Sequence, residues 1–481
     1  MTQFLSKLAT SLGAGAVITD PADMAKYLRS WSGNETGKAI AVVRPASTAE
    51  VSIAMAAAYA EGVAVVPQSG NTGLAGGSIP DGSGSSIVLS LERLNRIREI
   101  SASALTMTVE AGCVLAKLHE TVEAQGLFFP LNFGAKGSCM IGGNLATNAG
   151  GSNVVRYGNT RELCLGLEVV LPDGRVMDLL SGLRKNNTGY DLRDLFVGSE
   201  GTLGIITAAT MKLYPLPKAR ATALVSVESL ADALSVLNRV QAESGGAVEA
   251  FEIMPNAFLR QAARHKPDLL QPFRDPPRYG VMIEIAATSD EAAMPDADGV
   301  LPIVATLQRA AVAALEDGLI QDAIFAGSEA QRLDIWKLRE AALEVTTSVK
   351  TKIGFDISLP LERIHAFVDE TQKIVDRTVM GAYLNPLGHL GDGNLHLGIW
   401  CDPEGDAETF KAKAAEMKSA VLDLLARSGG SFSAEHGIGS HKLGEMRKYK
   451  DAVALDVMRS IKAALDPKNM MNPGRTIPPG N

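Results

Sequence analysis

The 481-residue chain has only four cysteines, few aromatic side chains and no excess of basic residues. Each scarcity excludes something. Cys113, Cys139, Cys164 and Cys401 are scattered without metal-site spacing, so neither an iron–sulfur cluster within the chain nor a disulfide framework is expected. A reducing, cytoplasmic setting fits that usage, with peripheral contact at a membrane left open. The formal net charge of −8 argues against sequence-independent binding to nucleic acid, whose phosphates require a basic face. No run reaches the ~18 apolar residues of a transmembrane helix. The start, Met1-Thr-Gln-Phe-Leu-Ser-Lys-Leu, lacks a sustained apolar stretch, so neither a signal peptide nor a transit peptide is read there. HExxH and paired CxxC motifs are also missing, which removes support for zinc-protease and zinc-ribbon readings.

What is plentiful is glycine, 47 residues of it. From about Ile40 to Pro217, glycine clusters alternate with short β-branched runs. Ile40–Val43, Val63–Val66, Ile87–Ser90, Leu167–Leu171 and Gly204–Thr207 read as strands, and alanine-rich Ala49–Ala60 as a helix, giving a βαβ-like start. Pro215-Leu-Pro217 marks a boundary. Beyond it a second α+β region is expected, with helices over Val227–Gln241, Ser328–Val345 and Leu361–Val375, and strands over Gly280–Ile285, Ile353–Ser358 and near Ile399. A polar turn at 402–407 leads into a further helix ending near Ser428. No fixed-period repeat is present, and the fold class is α+β.

Three loops carry the first chemical signal. PQSGNTGLAGG (67–77) follows a strand and presents backbone N–H groups beside small or hydroxylated side chains, which suits a pyrophosphate. Its spacing is not the GxGxxG of the Rossmann turn, and alone it reads equally as a tight structural turn. GSCMIGGNLATNAGGS (137–152) and VGSEGTLGII (197–206) repeat the chemistry, which implies a large, polyphosphorylated ligand.

The second signal is a concentration of histidine. Asn385-Pro-Leu-Gly-His-Leu-Gly-Asp-Gly-Asn-Leu-His396 and Ser433-Ala-Glu-His-Gly-Ile-Gly439 hold three of the chain's seven histidines. His389 and His396, on a strand-turn-strand element, can converge with Glu435 on one divalent ion and leave coordination positions open for substrate oxygens. Zinc suits two imidazoles and a carboxylate, as do manganese and iron. His436 is then left for proton transfer. The plainer reading makes His389 and His396 satisfied polar residues of tight turns and Glu435 a helix N-terminal carboxylate.

Together with SAEHGIG and the closing LDPKNMMNPG (465–474), these motifs resemble, nearly end to end, the FAD-dependent 2-hydroxy acid dehydrogenases of the vanillyl-alcohol-oxidase/PCMH flavoprotein superfamily. In pattern the chain is nearest to the D-2-hydroxyglutarate dehydrogenase, D-lactate dehydrogenase and glycolate oxidase flavin-subunit group. The resemblance implies a PCMH-type FAD-binding domain at 1–217, a substrate-binding cap domain at 218–430, and a segment at 431–481 that completes both sites. Pro67, Ser69, Gly70, Asn71, Thr72, Gly73, Gly76 and Gly77 would hold the pyrophosphate. Gly137, Ser138, Gly142, Gly143, Asn144, Thr147, Asn148 and Gly150 would border the flavin, Ile206 the adenine side, and Asn472 would return to the ring. No histidine lies in the first loop, so the FAD is expected to be noncovalent, and Cys139 reads as a small buried thiol.

By the same resemblance, Arg339 grips the substrate carboxylate, Lys352 and Asn394 complete the substrate site, and His436 is the general base. A helix-surface role is the plain alternative for Arg339. The reaction implied is oxidation of a D-2-hydroxy acid to the 2-oxo acid, with electrons passed to a quinone, a cytochrome or an electron-transfer flavoprotein. The alternative is the flavin subunit of a glycolate-oxidase-like complex that needs an iron–sulfur partner. A homodimer is the general expectation for an enzyme of this kind. Three departures bear on substrate. Leu343 stands where 2-hydroxyglutarate enzymes usually carry threonine, Gly354 where they carry lysine, and Gly398 where asparagine is common. A distal carboxylate would find fewer polar partners, so a short or apolar tail is expected.

Overall fold

The computed structural model describes residues 2–402 and 404–480, so Pro403 of the polar turn lies outside the described residues. The chain gathers into two units. The first comprises 1–150, 158–216 and 435–481, and the second 151–157 and 217–434.

In the first unit, the strands Ala41–Val43 and Ala64–Gln68 both lie parallel to Ser86–Ser90, which sits between them, and Val17–Ile18 pairs antiparallel at one edge. Two parallel strands need a crossover. The helix Thr48–Glu61 supplies it, capped by the Ser47 hydroxyl at one end and by left-handed Gly62 at the other. Its Val51, Ala54, Met55 and Ala58 pack on Val43, Val65, Ile87 and Leu89. A second, five-stranded antiparallel sheet runs in the order 97–101, 106–110, 205–212, 164–170, 176–178. The closing motif then returns to the first sheet: the Val65 amide donates to the Met470 carbonyl and the Asn472 amide to the Val65 carbonyl, at 2.8 Å each. Buried Met470 and Met471 join that sheet's core.

The second unit is built on an eight-stranded antiparallel sheet, with 219–227, 279–287, 248–255, 382–389 and 394–401 in neighbouring positions. One sheet face packs against the helices Asn256–His265, Glu329–Glu340 and Ala342–Ser348 through Leu224, Met254, Met282, Phe258, Ile335, Trp336 and Val345. The segment 151–157 belongs to this unit because Arg156 donates to the Ala286 carbonyl at 2.9 Å and Tyr157 to Glu249 at 2.5 Å.

Several expected elements differ in extent. Val227 ends a strand rather than opening a helix, and the helix begins only at Leu230, after the Ser229 cap. The run Ala219–Val227 is entirely apolar or small on its core side, so its β-character is overlooked when read against a following helical pattern. The helix expected over 328–345 breaks at Ala341 into two, and the strand over 353–358 is two short pieces, Lys352–Gly354 and Ile357–Ser358.

Candidate flavin and substrate sites

Loop 69–77 leaves the carboxyl end of the strand Ala64–Gln68. Among the described residues, none of its backbone N–H groups from Ser69 to Gly77 donates to the protein. Nine consecutive donors are left without a protein acceptor, which is the character of an anion nest. Side chains hold the loop instead. Ser69 donates to the Ala111 carbonyl at 3.2 Å, Asn71 donates to Arg29 and accepts from Ser78, and Pro67 remains in the strand, opposite Leu89.

Close approach requires the glycines at two points. A Cβ on Gly70 would meet the Ser138 carbonyl at 2.5 Å, and one on Gly439 the Ala75 carbonyl at 1.9 Å. These contacts press the second loop and the SAEHGIG segment onto the first. By contrast, Cβ atoms on Gly73 and Gly137 would meet nothing within 4 Å, so the backbone there faces open space. Thr72 is half-buried, Gly76 and Gly142 are buried, and Gly77 and Gly143 are half-buried.

In the second loop, side chains look inward. Thr147 donates to the Gly143 carbonyl, Asn148 accepts from the Arg161 amide, and Asn144 donates to the Cys139 sulfur. Ser138 is exposed, while Gly150 and Ile206 are buried. Asn71, Asn148, Glu200 and Asn472 all adopt positive φ, a conformation that non-glycine residues take at a cost and that concentrates at ligand-binding turns.

Asn472 ties the first and third loops together, its amide nitrogen donating to the Gly77 and Glu200 carbonyls at 2.8 Å. Its Oδ1 is buried without a partner. Glu200, unmarked by its sequence surroundings inside the third loop, accepts the Ile438 and Gly439 amides at 2.8 and 2.7 Å. Burial pushes its carboxyl up in pKa against the pull of those amides. The clamp fixes the backbone two residues after His436, whose imidazole lies 3.7 Å from Glu435. Neither residue stands at a helix N-terminus, since the next helix begins at Leu443. An orphaned carbonyl oxygen, open glycines and unspent N–H donors suit a dinucleotide such as FAD.

The cysteines are inert by construction. Burial pushes Cys113 and Cys139 up to about 11 and Cys164 up to about 12, leaving roughly a thousandth or less as thiolate at pH 8. Native protein is expected to react with a disulfide reagent at pH 8 far more slowly than denatured protein. A native thiol at position 139 that reacts at the denatured rate would contradict this burial.

In the second unit, the strands Ala382–His389 and Asn394–Cys401 form a hairpin through a tight turn at 390–393, the strand-turn-strand element expected for the histidines. His389 pairs with Asn394 and Leu387 with His396, so the side chains of 385, 387, 389, 394 and 396 share one face. The His389 and His396 rings lie 5.3 Å apart, edge to face. His396 Nδ1 lies 3.9 Å from the Asp356 carboxylate. Asp356 is buried and accepts from Asn394 at 3.1 Å. It lies in the DISLP run, but its sequence distance from the histidines concealed it. The Ala434 amide donates to the Asp356 carbonyl, and Glu435 follows directly in the chain.

The helix Glu329–Glu340 lays Arg332, Trp336 and Arg339 on this face at i, i+4, i+7 spacing. Arg332 and Trp336 bond buried Glu284. Arg339, only 8% exposed, donates Nε–H to Glu252 at 2.7 Å, and Glu252 also faces His389 Nδ1 at 2.7 Å. Burial alone would raise the pKa of Glu252, but the Arg339 guanidinium and the facing His389 ring outweigh it and hold the carboxyl down to about 2. Arg339 Nη2 is buried without a partner. An unmet buried donor costs roughly 1–3 kcal/mol, a cost that an acceptor from outside the chain would relieve.

Lys352 is exposed and donates to the Thr346 carbonyl. Leu343 is 60% exposed, and a Cβ on Gly354 would meet nothing. A Cβ on Gly398 would meet the Trp400 indole nitrogen at 2.5 Å, so indole fills the position where asparagine is common in 2-hydroxyglutarate enzymes.

An anion nest on one α+β unit, together with a second unit carrying an arginine–glutamate–histidine constellation, defines a two-domain flavoprotein of the PCMH fold. Residues 39–180 match the family described as FAD binding domain, and residues 216–476 match FAD linked oxidases, C-terminal domain. The chain belongs to this family of FAD-linked oxidases and, within it, to the FAD-dependent D-2-hydroxy acid dehydrogenase group. It is 37% identical over 461 residues to D-2-hydroxyglutarate dehydrogenase of Xanthomonas citri pv. viticola, covering 95% of this chain and 93% of that protein. It is 36% identical to the mitochondrial D-2-hydroxyglutarate dehydrogenase of Rattus norvegicus, covering 96% and 83%. The fold matches p-cresol methylhydroxylase with substrate bound, at TM-score 0.75 and 14% identity over 99% of this chain and 97% of that one. No helix among the described residues is long and apolar enough to cross a membrane.

Proposed function

We propose that the chain oxidises a D-2-hydroxy acid to the 2-oxo acid with noncovalent FAD and a divalent metal, passing the electrons to an external acceptor. The observation that carries the reading is Arg339, a buried guanidinium whose Nη2 lacks an acceptor on the sheet face that bears His389 and His396. FAD, when bound, accepts the substrate hydride. The chain's part is to grip the carboxylate through Arg339, to exclude water with the buried face around Trp336 and Leu387, and to take the hydroxyl proton at His436. His389, His396 and Glu435 would hold the metal, with Asp356 as a further oxygen donor beside His396, and the ion would lower the hydroxyl pKa. Leu343, Gly354 and the indole at Gly398 support a substrate with a short or apolar tail rather than a second carboxylate.

Anaerobic mixing with D- and L-2-hydroxy acids of graded tail length and charge tests this. One class of D-acid is expected to bleach the flavin, to lose that ability after chelation and to regain it with zinc or manganese. Bleaching by L-acids alone, or full bleaching of chelated protein, would reject the stereochemistry or the metal respectively.

A further inference from the structure

Glu252 stands opposite His389 in register across the sheet and is fully buried. Its two oxygens are divided: Oε2 accepts Arg339 Nε–H and Oε1 meets His389 Nδ1, at 2.7 Å each. A carboxylate offers only acceptors, so His389 carries a hydrogen on Nδ1, and in the neutral ring Nε2 is then the lone-pair nitrogen. The same carboxylate holds the guanidinium through Nε and leaves Nη2 buried without an acceptor, where a second carboxylate could take it.

We infer that Glu252 is a positioning residue that sets both halves of the substrate grip at once, the coordinating tautomer of His389 and the aim of Arg339. The inference rests on the function proposed above. The requirement for an acid is one of number. Two N–H groups converge from opposite sides and need two acceptor oxygens, whereas glutamine supplies one oxygen and turns an NH₂ toward the other donor. A merely structural ion pair would need neither the histidine's tautomer nor the arginine's outer edge to be specified. Glu284, on the same face, serves as comparison: it binds Thr222, Arg332 and Trp336, and among the described residues no hydrogen bond or ion pair joins it to His389, His396 or Arg339.

The test uses the FAD-loaded full chain. After chelation, Glu252→Gln is expected to bind added zinc about 10- to 100-fold more weakly, the range for loss of a group that orients a ligand histidine. Its KM for the D-2-hydroxy acid should rise at least as much, with flavin content unchanged. Glu252→Asp, which keeps two acceptors, should recover part of the zinc affinity. Glu284→Gln should leave zinc affinity unaltered. Wild-type zinc affinity and KM in Glu252→Gln would overturn the inference.

If Glu252→Gln fails to fold, the unmodified protein still decides. In metal-free, ¹⁵N-histidine-labelled chain at pH 8, the His389 signals, identified by their loss in His389→Asn, should show a protonated Nδ1 and an unprotonated Nε2. A protonated Nε2 overturns the assignment. A flavin that no D-2-hydroxy acid bleaches would remove the functional reading, and the tautomer would still report on Glu252 separately.

Discussion

Replacing His436 by alanine is expected to slow flavin reduction by a 2-hydroxy acid by about 10²- to 10⁴-fold, the usual contribution of a general base, while FAD remains bound. The two outcomes separate because different atoms carry them. The backbone beyond His436 is fixed by Glu200 through the amides of Ile438 and Gly439, and neither bond involves the imidazole. The loops at 69–77 and 137–150 and the Asn472 bridge are equally independent of it. Single-turnover anaerobic reduction measures the chemistry, and flavin absorbance after gel filtration measures retention. An unchanged reduction rate would reject His436 as the base. Loss of flavin would show instead that the segment around it is a structural part of the cofactor site.

Removal of Arg339 should be costly in two distinct ways. Arg339→Met deletes the cation that pairs with buried Glu252, and breaking a buried pair of this kind destabilises by about 3–5 kcal/mol because the remaining charge is uncompensated. His389 still faces the other Glu252 oxygen, which favours the lower end of that range. Arg339→Lys restores charge but not geometry, since an ammonium cannot bond Glu252 and also present a planar fork to a substrate carboxylate. The lysine variant is therefore expected to regain much of the thermal stability and little of the kcat/KM, remaining at least about 100-fold below the parent. Thermal melts of the FAD-loaded protein and steady-state kinetics distinguish the two. A lysine variant with full activity would reduce the arginine to a structural partner of Glu252.

Local signals in the sequence reached some of this arrangement and not the rest. Glycine clusters after β-branched runs marked the candidate flavin loops because close backbone approach can be met almost only by glycine, and the contact at Gly70 shows that requirement. Pro386, which stiffens the entry, and the glycines around His389 and His396, which bend the backbone cheaply, marked a hairpin. Glu200, Glu252 and Asp356 carried no such mark. Each is an acid in a mostly apolar or glycine-rich run, and its role depends on partners brought close only by the tertiary fold, such as the Glu200 bond to Gly439 across 239 residues. Arg339 reads as an ordinary helix residue without the family pattern, because its spacing from Arg332 and Trp336 gives an amphipathic stripe whose buried side is ionic. The Ala219–Val227 strand escaped notice because propensity cannot tell a central strand of small residues from a linker.

The return of Met470, Met471 and Asn472 to the first sheet also bears on how the protein comes into being. The Asn472 bond to Gly77 spans 395 residues, and the whole of the second unit is translated between the two partners. During synthesis the first glycine loop must therefore wait, without its closing strand-like partner, while the second unit emerges. Contacts of such sequence separation form late. Closure of the first glycine loop is consequently a late event in the chain's maturation, and the second unit has the opportunity to fold before it.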